Sequence, residues 1–124
     1  ALVEGACEDA DAELRFIAGP LREAVHEARE AGRWLIDNAG DPNTLGAGSY
    51  PFMQLVGTLA IGWMWLRMAG IARGREDDPF HAAKLATARH YAERRLPDCA
   101  ALCRKITADA DTLLAIPAEQ FVRS

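Results

Sequence analysis

Residues 50–66 read Tyr-Pro-Phe-Met-Gln-Leu-Val-Gly-Thr-Leu-Ala-Ile-Gly-Trp-Met-Trp-Leu, apolar nearly all the way round a helix. Only Gln54, Thr58 and the glycines interrupt the run. A helix without a polar face is central in a bundle or crosses a membrane. A membrane span needs about 20 apolar residues. This stretch is shorter, carries Gln54 and lies between amphipathic segments. We therefore read a helix over 50–73 as the central element of a soluble bundle, its core filled by Trp63, Trp65, Met53, Met64 and Met68. Asp41 to Ser49 is rich in Gly, Asn, Ser and Pro, which predicts a loop, with Ser49 as N-cap. Gly57 and Gly62 let neighbouring helices approach, at a propensity cost of about 1 kcal/mol each.

Two amphipathic segments flank this helix. In the first, over 7–39, Leu14, Leu21, Ala28 and Leu35 recur every seventh residue, with Ile17, Ala24 or Val25, and Ala31 between them. Gly19-Pro20 predicts a kink or two collinear pieces, because proline removes one backbone bond. Asp78-Pro79 opens the other segment as N-cap and first helical position. Its stripe is Leu85, Ala88, Ala92, Leu96, Cys99, Cys103 and Ile106, and its continuation past Pro97 predicts a kink rather than a stop. A short helix over 107–116, ended by Pro117, and one further turn complete the chain. No alternating β-branched run occurs. The expected fold is an all-α antiparallel helical bundle, three long helices plus a short C-terminal helix, in a single domain over 1–124.

Fifty per cent hydrophobic and 26% charged residues describe a globular rather than a disordered chain. The net charge of −4 gives no reason to expect nucleic acid as a partner. The charge is uneven. Residues 1–40 carry nine acids, Asp9 and Asp11 among them, against four arginines, whereas 81–105 carry six bases against Glu93 and Asp98. These faces would lie side by side in one bundle. The three cysteines, Cys7, Cys99 and Cys103, are an odd number without a targeting pattern, which points to free thiols and a cytoplasmic setting. The start at Ala1 reads as a boundary inside a longer protein.

No residue pattern specifies chemistry. Cys99 and Cys103 are one turn apart, a spacing compatible with a metal, but a zinc site takes about four ligands. His81 and His90 lie more than two turns earlier on the same segment, over 10 Å away at about 1.5 Å per residue. Both cysteines also fall on the apolar stripe, so we read them as core. His26, His81 and His90 form no triad, and Asp109 with Asp111 are read as helix-start acids. Gly46-Ala-Gly48 does not follow a strand and is no phosphate loop. Lys84, Arg89, Arg94 and Arg95 are candidates for the phosphates of a ligand such as coenzyme A or for acids on another domain. The simpler reading is a solvated basic face. We assign no catalytic, cofactor-binding or metal-binding residue.

Four features, taken in order, resemble the small helical domain at the C-terminus of acyl-CoA dehydrogenases of the acetyl-CoA dehydrogenase-like subgroup, which includes methylthiopropanoyl-CoA dehydrogenases. They are the heptad-like first helix, the Gly62-Trp-Met helix after Tyr50-Pro, the pattern Phe80-x-x-x-Lys84-x-x-x-Ala88-Arg89 leading to Leu96-Pro97, and the tail Ala110-Asp-x-Leu-x-Ala-Ile-Pro-x-x-x-Phe121. The resemblance implies a parent oxidoreductase of fatty acid metabolism that uses FAD to remove two hydrogens from the α and β carbons of an acyl-CoA. It implies a non-catalytic accessory role here, packing on upstream dehydrogenase domains or a subunit interface of a homo-oligomer. Gly19-Pro20 departs from the family's continuous first helix. The alternatives are an autonomous helical module binding a partner helix or apolar ligand, and a peripheral membrane element.

Overall fold

The computed structural model describes residues 2–9 and 12–122. Asp11 and the side chain of Asp9, counted above among the acids, lie outside the described part. The described residues form an all-α bundle of α1 (Leu2–Asp9), α2 (Arg15–Asp37), α3 (Pro42–Ala72), α4 (Pro79–Arg94) and α5 (Asp98–Ile106). Short 3-10 turns lie at Ala12–Leu14 and Ala118–Phe121.

The heptad-like stripe of the first segment becomes the inner face of α2. Leu14, Ile17, Leu21, Ala24, Ala31 and Leu35 are buried. Pro20 sits inside α2, which stays helical across Gly19-Pro20. Of the two outcomes expected there, separate collinear pieces do not form, and the break between α1 and α2 lies earlier. Proline at the sixth position of a helix removes only one bond, and buried Ile17 and Leu21 on either side hold the turn in place. Arg29 pairs with Glu4 at 2.7 Å and ties α1 to α2.

The largest difference from the sequence reading is at 42–49, which is helix rather than loop. Asp41 caps α3, accepting from the Asn43 N–H at 3.1 Å and the Thr44 hydroxyl at 2.7 Å, and Pro42 takes the first helical position. The same Asp-Pro device opens α4. There Asp78 accepts from the Phe80 N–H at 2.9 Å. Ser49, expected as a cap, instead donates to the Leu45 carbonyl within the helix. Gly48 is tolerated because α3 packs tightly there: a Cβ would lie 2.7 Å from Leu35 Cδ2, whereas Gly46 is exposed with nothing within 4 Å.

Thr44 and the Asn43 N–H hold the Asp41 carboxyl below its ordinary value of 3.8, and the Phe80 N–H and His81 do the same for Asp78. A depressed folded value means stability present above the ordinary range and lost as pH falls through the folded one. The melting temperature should therefore drop on acidification below about pH 4. The double variant Asp41→Asn/Asp78→Asn keeps cap acceptors but cannot titrate, and its acid-induced drop should be smaller. Parallel melting curves for the two proteins across that range would rule the caps out as its source.

The third segment does not run through Pro97 as a kinked helix. It stops at Arg94, turns through 95–97 and restarts as α5. Both Arg95 and Leu96 N–H groups bond the Tyr91 carbonyl. Pro97, lacking an N–H, then suits the entry to a new helix. The stripe itself survives the break: Ala88, Ala92, Leu96, Cys99, Cys103 and Ile106 are buried, and Leu85 is half-buried. The short helix expected over 107–116 does not form: those residues make turns, and the last α-helix is α5. Asp109 accepts from the Asp111 N–H at 3.0 Å, a local bond that competes with helix.

The core is made by α2, α3, α4 and α5 packing on one another around Ile17, Leu21, Leu55, Cys99 and Ile106. Gly62 marks a second close approach in it. A Cβ there would lie 3.1 Å from both Leu21 Cδ1 and Leu96 Cδ2. Beside it, the Tyr91 hydroxyl donates to the Thr58 carbonyl at 2.7 Å, joining α4 to α3. Gly57, paired with Gly62 in the sequence reading, has nothing within 4 Å and faces outward.

Candidate functional site

On α3, Tyr50, Met53, Gly57, Ala60, Met64, Arg67 and Ile71 recur in alternating steps of three and four, so they share one face. Tyr50, Met53, Met64 and Ile71 on this face are exposed, as are Val56 and Ile61 flanking it. Leu55, Gly62, Leu66 and Ala69 on the opposite face are buried. The helix that reads as apolar all round is therefore covered on one side only, and 33% of its most apolar window is buried. Met53 and Met64 do not fill the core as expected, and Trp63, Trp65 and Met68 are only half-buried. Two long neighbours and one short one cannot enclose a helix of 31 residues.

This outer face spans about 31 Å from Tyr50 to Ile71. Its one charged member, Arg67, has its guanidinium 5.1 Å from the Trp63 ring centroid, drawn toward the flank. Contiguous apolar surface of this extent marks an interaction site on a soluble protein. By length and composition α3 also passes as a membrane-spanning helix, which is weak evidence for a single helix packed in a bundle. The tail adds Leu113, Leu114, Ile116 and Phe121, all exposed.

The structure separates the four basic candidates. Lys84 Nζ lies 5.7 Å from the Trp65 ring and 5.1 Å from the Phe80 ring. The Arg89 guanidinium lies 4.2 Å from the Phe16 ring. These contacts join α4 to α3 and α2; Lys84 is half-buried, while Arg89 stays exposed, as expected of a solvated face. Arg94 and Arg95 are exposed, and Arg95 shares an open groove between α3 and α5 with Gln54, Asp98 and Lys105. The acidic side of α2 does run beside basic α5: Glu27, Glu30 and Arg104 line one groove.

His26 faces Glu30 on α2, and His81 Nδ1 lies 2.9 Å from Asp78 in the first turn of α4. His90 is exposed farther along α4. The three are not brought together. Among the described residues no three His, Cys, Asp or Glu side chains gather as metal ligands. Cys7, Cys99 and Cys103 are buried free thiols. Burial pushes the Cys99 thiol up to about 11, with Cys103 and Asp98 adding to it, and burial also raises Cys7 and Cys103. Thiolate is the reactive form, so a maleimide at pH 7.5 should label none of the three until the chain unfolds. One or more equivalents reacting in the folded state at the rate of a free thiol would contradict this packing.

A flavin diphosphate would need free donors, and the N-termini of α3 and α4 are already occupied by Asp41 and Asp78 of the chain itself. The groove between α2 and α5, about 330 Å³, is open and presents Glu23 and Glu27, which repel phosphate. No step of flavin chemistry is assigned to this chain.

The family described as "Acetyl-CoA dehydrogenase C-terminal like" matches residues 1–117. A 3-methylmercaptopropionyl-CoA dehydrogenase of Ruegeria pomeroyi is 38% identical over 120 residues, which cover 92% of this chain and 20% of the relative. The chain thus spans about a fifth of that relative's length.

Proposed function

We propose that this chain, which belongs to the acetyl-CoA dehydrogenase C-terminal-like family, serves as a non-catalytic accessory domain of an FAD-dependent acyl-CoA dehydrogenase in the cytoplasm. In such an enzyme the flavin, held by other domains, accepts the two hydrogens removed from the acyl-CoA. The domain's part is to form an interface, on the dehydrogenase core or between subunits. The observation that carries this reading is the outer face of α3, uncharged except for Arg67 and left exposed by the described residues. The relative's extent supports it, since four-fifths of that dehydrogenase lies outside the match.

The test is the mass and visible absorption of the natural gene product, purified untagged. A yellow protein several times heavier than 13.5 kDa is expected. A colourless product near 13.5 kDa would overturn the reading and favour an autonomous module that uses the same α3 face for a partner helix or apolar ligand.

A further inference from the structure

We propose that the long groove between α2 and α5 seats a basic amphipathic helix from the dehydrogenase part of the same enzyme. The inference rests on the accessory-domain reading. It adds a second contact surface to that reading and gives the chemistry of what fills it.

The groove follows from how the helices run. Leu21 and Leu96 both approach α3 at Gly62, and Leu35 and the Ile106 carbonyl both approach it at Gly48. Hence α2 and α5 lie parallel to each other and antiparallel to α3. Because α3 fills one side of this pair, the groove opens on the other, away from the outer face of α3. Two depressions make it up, one reaching Pro20 and Pro97, the other reaching Trp34 and Thr107, and they share Glu27 and Ala100. From Pro20 to Trp34 the groove runs about 21 Å along α2, the length of a four-turn helix. Its floor is small and apolar: Ala24, Ala31, Ala92, Cys99 and Cys103 are buried beneath it. Small floor residues leave room for the apolar face of a docking helix.

Charge selects the occupant. Glu23, Glu27 and Glu30 line the α2 wall at successive turns, and Glu93 of α4 lines the groove with them. Arg104, at the Trp34 end, is the single cation among the lining residues. Glu23, Glu27 and Glu93 make no ion pair among the described residues, and Glu30 has only His26, 3.5 Å away. Glu23 and Glu27 are four apart on one helix, where like charges repel. The field reaches the floor: after burial, Glu27 and Glu30 push the Cys103 thiol up. Such a row of acids over an apolar floor is complementary to lysine and arginine flanking an apolar stripe. The same row repels a phosphate, a nucleic acid or an anionic lipid surface. It also disfavours a second copy, since the chain carries −4 overall. A helix of the dehydrogenase part is held at high effective concentration by its covalent link. Four-fifths of the relative lies outside the match and has room for it.

The test is made on the natural gene product, by carbodiimide-driven labelling of carboxyl groups with glycine ethyl ester, read by mass spectrometry. Glu23 and Glu93 are exposed in this chain, so an open groove leaves them reacting near their rate in the urea-unfolded protein. A seated helix excludes water from both and should slow them about fivefold or more. Glu27→Lys should restore both rates with flavin absorption and circular dichroism unchanged, and Glu27→Gln should restore them less. Near-unfolded rates in the purified enzyme would overturn the proposal and leave the groove to a separate protein or to solvent. Protection that survives Glu27→Lys would overturn it too, because the cover would then not be cationic. So would carbodiimide cross-links joining the groove only to lysines within 1–124, the mark of a second copy. A colourless product near 13.5 kDa fails the accessory-domain reading itself, whereas a yellow, heavier enzyme with an open groove fails only this inference.

Discussion

Leu96→Asp should abolish cooperative thermal unfolding of the chain at neutral pH. Leu96 is 3% exposed and sits in the turn between α4 and α5, with its Cδ2 facing the site of a Gly62 Cβ. Truncating such a leucine costs about 2–5 kcal/mol. Placing a carboxylate there adds several kcal/mol, because no cation of the described core faces this point and an unpaired buried charge is not solvated. The combined cost approaches the whole stability of an ordinary domain, about 5–15 kcal/mol. The backbone compounds the effect: the Leu96 N–H bonds the Tyr91 carbonyl, and that turn sets the angle at which α5 returns to α2 and α3. The control is Leu113→Asp, on a side chain 70% exposed in the tail, which should melt like the parent. If Leu96→Asp retains a cooperative transition within a few degrees of the parent, Leu96 does not occupy the core.

The stripes of α2 and α5 were legible because both are amphipathic: a period near 3.6 identifies the face that packs without reference to what it packs on. Leu21, Leu35 and Ile106 are buried for that reason. Segment ends were less legible, since they depend on single bonds. Asp41-Pro42 carries the same start signal as Asp78-Pro79, but the glycines that follow it look like loop until Leu35 is seen packing against Gly48. At Pro97 the stripe reads as continuous, and only the doubled acceptor at Tyr91 shows the chain leaving the helix. The α3 face was hidden for a different reason. A helix apolar on every side gives no periodic signal, so its sequence cannot say which side is covered. The available clue was arithmetic. The neighbouring helices have too few apolar stripes to surround α3, and Gly57, Ala60 and Met64 fall on one face by spacing alone. The contacts of Lys84 with Trp65 and of Arg89 with Phe16 join residues distant in sequence and left no local trace.

Gly62→Val should lower the melting temperature by about 10 °C, whereas Gly57→Ala, five residues away on the same helix, should leave it unchanged or raise it. Propensity favours alanine over glycine in a helix by about 1 kcal/mol at either position. The surroundings decide the sign. At Gly62 the first added carbon already lies 3.1 Å from Leu21 Cδ1 and Leu96 Cδ2 and 3.4 Å from the Tyr91 ring. Valine adds two further methyl groups in a space bounded by α2, α4 and the 95–97 turn. Overpacking of this kind costs about 1–3 kcal/mol and sometimes more, and each kcal/mol shifts a domain of this size by roughly 4 °C. Moving Tyr91 aside would also stretch its 2.7 Å bond to the Thr58 carbonyl. The mechanism predicts its own rescue. Leu21→Ala alone opens a cavity and destabilises, but combined with Gly62→Val it gives the new methyls room. The double variant should then be more stable than the sum of the two losses, by about 1 kcal/mol or more of coupling. Strict additivity would mean that the two side chains do not meet and that Gly62 is not the point where α2 closes on α3.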